Sequence, residues 1–72
     1  MKRTVSELLM LLFEGGNISI DAGDYTVLDI RTLVDAMTKS QGYLELRNCS
    51  QLHMSDLLML VRYGKNNIKF VL

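Results

Sequence analysis

The hexamer SELLML at residues 6–11 returns as SDLLML at residues 55–60. In a chain of 72 residues, that echo restricts the fold more than any other feature. The parallel continues past the hexamers. SELLMLLFEGGNISI and SDLLMLVRYGKNNIKF each place an apolar run of helical spacing, a glycine, an asparagine and an alternating tail in the same order, the second with one extra residue. A third, more divergent copy lies between them, LDIRTLVDAMTKSQGYLELRN. In it Asp29, Ile30, Leu33 and Val34 take the places of Glu7, Leu8, Leu11 and Leu12, and Asp56, Leu57, Leu60 and Val61 complete the set. Duplication of a supersecondary unit is the simplest cause, and units of this kind bury their apolar sides by stacking on one another.

Helices are expected where apolar residues recur at i, i+3 and i+4. Thr4 with Glu7 forms a capping box, Thr26 with Asp29 a second one, and Ser55 a plain N-cap. Gly15 and Gly64 stand where a left-handed residue would close the first and third helices, and Gly42 precedes the middle strand. The alternating segments Asn17 to Asp21, Tyr43 to Arg47 and Asn67 to Val71 read as strands. The order is therefore αβαβαβ in one domain spanning residues 1–72, with units at about 4–21, 26–48 and 55–72. Strands joined through helices should run parallel with right-handed crossovers.

Which faces are covered follows from the alternation. Ile18, Ile20, Leu44, Leu46, Ile68 and Phe70 fall on one side, and Ser19, Asp21, Glu45, Arg47 and Lys69 on the other. A sheet wrapped by helices on both sides would be apolar throughout, so only one face is buried. In strand order 1-2-3 the open face sets Glu45 beside Lys69 and Asp21 beside Arg47, opposite charges across neighbouring strands. The expected fold class is thus α/β, three αβ units forming a short right-handed solenoid, with a three-stranded parallel sheet and its helices on one face.

At the middle strand Leu44, Leu46, Cys49 and Leu52 spell LELRNCSQL, which resembles the LxLxxCxxL segment of cysteine-type leucine-rich repeats. The 26-residue step from Ile18 to Leu44 falls within the roughly 20–29 residues of that class. The resemblance implies a curved β/α solenoid that uses a polar sheet face for protein recognition, with Cys49 inside the loop after the strand. Ile18 and Ile20 match the start of the motif, but Gly23 takes the place of the cysteine; Ile68 and Phe70 also match, but Leu72 ends the sequence before that position. One unit fits fully, and the likeness is one of architecture.

Composition narrows the function classes. Eight basic residues balance eight acidic ones, which removes the net pull on phosphate backbones that non-specific nucleic-acid binding relies on. Cys49 is the sole cysteine, so no intrachain disulfide is possible and a reducing, cytoplasmic setting fits best. Lys2 and Arg3 ahead of LLMLLF resemble the start of a signal peptide, but the run is short, Glu7 precedes it and no small-residue cleavage site follows, so it reads as a mature helix. No stretch approaches the ~20 apolar residues of a membrane span.

Cys49 and His53 stand four apart and are the only soft metal ligands, fewer than a structural zinc site requires. Nor does a third group orient them for nucleophilic catalysis. GGN and GKNN follow helices and lead into strands, the reverse of a phosphate-binding loop. DAGDY at 21–25 has the right order but carries acids that repel anions, and too few ligands for a hard cation. No metal, cofactor or enzymatic activity is expected. Leu9, Met10, Leu58 and Met59 widen the apolar faces of the first and third helices beyond one buried stripe and are the candidates for self-association, as a homodimer or other homo-oligomer. Asp21, Tyr43, Glu45, Arg47 and Lys69 on the open sheet face are the candidates for binding a protein partner. The reading is a small non-catalytic protein–protein interaction module. The alternative is a small nucleic-acid-linked regulatory protein, for which Lys2, Arg3, Arg62 and Lys65 would have to converge.

Overall fold

In the computed structural model, which describes residues 3–72, helix α1 (Val5–Phe13) starts at the expected capping box. The Thr4 hydroxyl accepts from the Glu7 N–H at 3.2 Å while the Glu7 carboxylate accepts from the Thr4 N–H at 3.1 Å, which satisfies two amides that helix geometry leaves without partners. The exit is a Schellman turn: Gly15 N–H donates to Leu12 O and Gly16 N–H to Leu11 O, with Gly15 at φ 79°, a conformation that costs glycine nothing. Strand β1 (Asn17–Asp21) follows.

Helix α2 (Val27–Ser40) repeats the pattern, with Thr26 and Asp29 as the second capping box. It ends through Gln41 at φ 62° rather than through a glycine. The Ser40 hydroxyl lies against the carbonyl oxygens of Leu12 and Ala36, which ties the end of α2 to the end of α1. Strand β2 (Tyr43–Arg47) comes next.

Helix α3 (Met54–Gly64) differs from expectation at both ends. Its N-cap is His53, not Ser55, and no side chain caps it. The chain leaves the preceding turn extended through Leu52 and His53, and the His53 carbonyl accepts from both Asp56 and Leu57 N–H, so Ser55 is already in the first turn. At the other end Gly64 has φ −87° and is ordinary right-handed helix; the positive φ of 51° falls on Lys65. Gly64 is needed for space instead. A Cβ there would lie 2.8 Å from Ile68 Cγ2 and 3.1 Å from Met37 Cε. Strand β3 is Ile68–Phe70, shorter than expected. Asn67 is drawn into a turn, its amide donating to Gly42 O at 2.9 Å. Val71 lies past the strand but donates to Leu46 O and accepts from Cys49 N–H.

The sheet has strand order β1-β2-β3, parallel throughout. Leu44 pairs with both Ile18 and Ile68, and Leu46 with both Ile20 and Phe70. Helix α1 packs on α2 and α2 on α3, a single helical layer over the face carrying these apolar residues. Because strands are parallel and each helix turns back through a short connection into its own strand, the three helices are also parallel. Leu12, Ile30, Leu33, Val34, Met37, Leu44, Leu46, Cys49 and Leu60 are fully buried between the layers. Each of the first two strands runs into a 3₁₀ turn, Ala22–Asp24 and Cys49–Gln51, whose first residue is buried. The residue that stands under β1 as Cys49 stands under β2 is therefore Ala22, not Gly23. Asn48, at φ 60°, is an extra residue that shifts the spacing by one.

Candidate functional site

The open face of the sheet carries one connected polar chain across all three strands, hydrogen-bonded between β1 and β2 and ion-paired to β3. Arg47 Nε donates to Ser19 Oγ at 3.0 Å, Ser19 Oγ donates to Glu45 Oε2 at 2.7 Å, and Lys69 Nζ lies 3.8 Å from Glu45 Oε1. The pairing of Glu45 with Lys69 stands as expected. Asp21 and Arg47 are opposite each other in register, but the guanidinium turns to Ser19, and the Asp21 carboxylate accepts from Gly23 N–H at 2.7 Å and from Asn48 Nδ2 at 3.2 Å. The Gly23 bond, then the Asn48 bond and the nearby Arg47 charge, hold the Asp21 carboxyl below its ordinary pKa. Short turns on both sides of the strand end thus compete successfully for the carboxylate. Tyr43 sits at the start of β2 on the same face, where with Ser19, Glu45 and Lys69 it borders a shallow hollow of about 330 Å³. The five residues read from the sequence share this face. Ser19, the hub that links Arg47 to Glu45, was not among them.

The apolar candidates divide by position. Met10 is 69% exposed and Leu58 48% exposed, whereas Leu9 and Met59 are partly buried against the core. Leu11, Phe13, Met54, Val61 and Leu72 join the exposed set. They lie on the first and third helices and after β3, while Leu28, 71% exposed, stands apart on the middle helix. A hollow of about 380 Å³ beside α1 is lined by Arg3, Glu7, Met10 and Leu11, and one of about 310 Å³ beside α3 by Met54, Leu57, Leu58, Val61, Phe70 and Leu72. The second is almost wholly apolar.

Cys49 is buried, its thiol against Leu46 O at 3.0 Å, and burial pushes its pKa up. His53 is exposed at the start of α3. Among the described residues no group of three or more His, Cys, Asp or Glu side chains is placed to hold a metal ion. Among the described residues the basic candidates do not converge. Arg3 precedes α1 and is paired with Glu7 at 3.2 Å; Arg62 and Lys65 lie at the far end of α3, across the array and at the opposite end of the parallel helices. Lys2 lies outside the described residues. Among the described residues no helix is long and apolar enough to cross a membrane. No family model, curated protein or solved structure matches the chain.

Proposed function

We propose that the chain is a small non-catalytic protein–protein interaction module of the cytoplasm, self-associating through its apolar helix flanks and offering the polar sheet face to a protein partner. The observation that carries this reading is the gathering of exposed apolar side chains at the two ends of a three-unit array, Met10 and Leu11 at one end and Met54, Leu58, Val61 and Leu72 at the other. Contiguous apolar surface of this kind is costly to leave in water and marks contact sites. The open face supports the second half. Asp21, Tyr43, Glu45, Arg47 and Lys69 offer both charge signs and an aromatic ring on a rigid sheet, which suits orientation and specificity more than chemistry. The resemblance to leucine-rich repeats agrees with that division of labour.

Size-exclusion chromatography with light scattering over a wide concentration range tests the self-association. The mass should rise above 8.2 kDa as concentration increases; a mass fixed at 8.2 kDa throughout refutes it.

A further inference from the structure

We infer that the two ends of the array bind each other, so that copies of this chain stack head to tail, the α3 end of one protomer docking on the α1 end of the next. The inference rests on the self-association proposed above and adds which surfaces meet and with what polarity. It comes from following equivalent positions through the three units.

Leu11, Leu33 and Leu60 are equivalent, and each lies on the side of its helix toward the preceding unit. Leu33 and Leu60 are fully buried; Leu11, on the first of the three helices, is 50% exposed. Leu12, Val34 and Val61 are equivalent on the side toward the following unit. Leu12 and Val34 are fully buried; Val61, on the last of the three helices, is 38% exposed. Arg31 confirms the direction. It occupies the place of Leu9 and Leu58, and it reaches forward from α2 to Tyr63 of α3, its guanidinium 3.3 Å from the hydroxyl and 5.2 Å from the ring centroid. The sheet follows the same rule. Leu44 and Leu46, flanked on both sides, are fully buried, whereas on the outer strands Ile18 and Phe70 are only partly buried and Ile20 and Ile68 keep 5% and 8% exposure.

The exposed surfaces are therefore complementary through the repeat itself. What α3 turns outward is the side that α1 and α2 press onto their next neighbour, and what α1 turns outward is the side with which α2 and α3 receive it. Pairing two α3 ends, or two α1 ends, would join like sides, a combination the chain does not use. The same step sets the free edge of β3 beside the free edge of β1, with Ile68 opposite Ile18 and Phe70 opposite Ile20, since Leu44 and Leu46 pair with both sets. An interface of this kind is heterologous and so builds rings or open filaments, not closed two-fold dimers.

Two end-blocking substitutions test the polarity by sedimentation velocity. Leu11→Glu disables the α1 end and Val61→Glu the α3 end; both residues are exposed enough for far-UV circular dichroism to stay unchanged. Wild-type protein should grow past twice 8.2 kDa with concentration. Each variant alone should remain at 8.2 kDa, and an equimolar mixture should form a complex of twice that mass and nothing larger. Should either substitution unfold the chain, Met10→Glu and Leu58→Lys replace them. A variant that still dimerises alone, or a mixture that forms no complex, overturns head-to-tail stacking while leaving self-association standing. Wild-type protein that stays monomeric, leaving the ends to a foreign partner, overturns both.

Discussion

Alanine substitutions at two equivalent triplets should give mirror-image stability profiles along the array. At the position facing backward, Leu33→Ala and Leu60→Ala remove fully buried side chains and should cost about 2–5 kcal/mol each. Leu11→Ala, at 50% exposure, forfeits at most half of the ~1.5–3 kcal/mol that full burial supplies, and alanine's helix propensity offsets part of it, so a cost under about 1 kcal/mol is expected. At the forward position the order reverses. Leu12→Ala should again cost about 2–5 kcal/mol and Val34→Ala about 2 kcal/mol, while Val61→Ala should cost under about 1 kcal/mol. A domain of this length holds only about 4–11 kcal/mol in total, so the costly variants lose much of their stability. Urea unfolding followed by circular dichroism, at protein concentrations low enough to keep the chain monomeric, reads these differences. With a slope of ~1 kcal/mol per molar, Leu33→Ala moves the midpoint by several molar and Leu11→Ala by less than one. If Leu11→Ala costs as much as Leu33→Ala in dilute solution, α1 has no uncovered backward side and the quasi-equivalence of the three units is wrong.

Gly64→Ala should destabilise by about 1–3 kcal/mol through overpacking against Ile68 and Met37, measured as a lower urea midpoint, and the same substitution should cost less in a Met37→Ala background than in the wild type. The Glu7 carboxyl is held below its ordinary pKa mainly by bonds to Thr4, and that of Asp21 by bonds to Gly23 and Asn48. The unfolded chain therefore takes up protons first as pH falls, so the stability these groups supply is complete above about pH 5 and is lost progressively below it; Glu7→Gln and Asp21→Asn should flatten the acid limb of a plot of midpoint against pH. Burial raises the Cys49 pKa, so the folded state keeps its proton when the unfolded thiol ionises. Stability from this source is present below about pH 8.5 and declines as pH rises beyond it. Reaction of Cys49 with a thiol reagent should track unfolding, and fast labelling of native protein would contradict its buried position.

Much of the fold was legible because two periodicities carried it. Alternation in NISID and YLELR placed β1 and β2 to the residue and showed that one sheet face is open, and Thr4 and Thr26 announced two helices through the carboxylates three residues on. What escaped depended on neighbours distant in sequence. The glycine of GKNN looks like a left-handed terminus, but only the approach of Ile68 and Met37 reveals why Gly64 has no side chain. Asp21 and Arg47 fall opposite each other by simple counting, yet the extra residue Asn48 and the turn at Gly23 claim the carboxylate and leave the guanidinium to Ser19. Met10 and Met59 occupy equivalent letters of the repeated hexamer, and nothing local separates them. Their burial differs because α1 has a helix only in front of it and α3 only behind.

The sequential order of the strands also bears on how fast the chain can find its structure. Sheets of parallel strands usually fold slowly, since long stretches must be looped before any pairing rewards them. Here every rung joins units adjacent along the chain, and closure entropy grows only logarithmically with loop length. Either β1 with β2 or β2 with β3 can form first, and both routes enlist the central segment. The middle unit is the obligatory seed, so substitutions inside it should retard refolding, whereas those in the outer units should chiefly hasten unfolding.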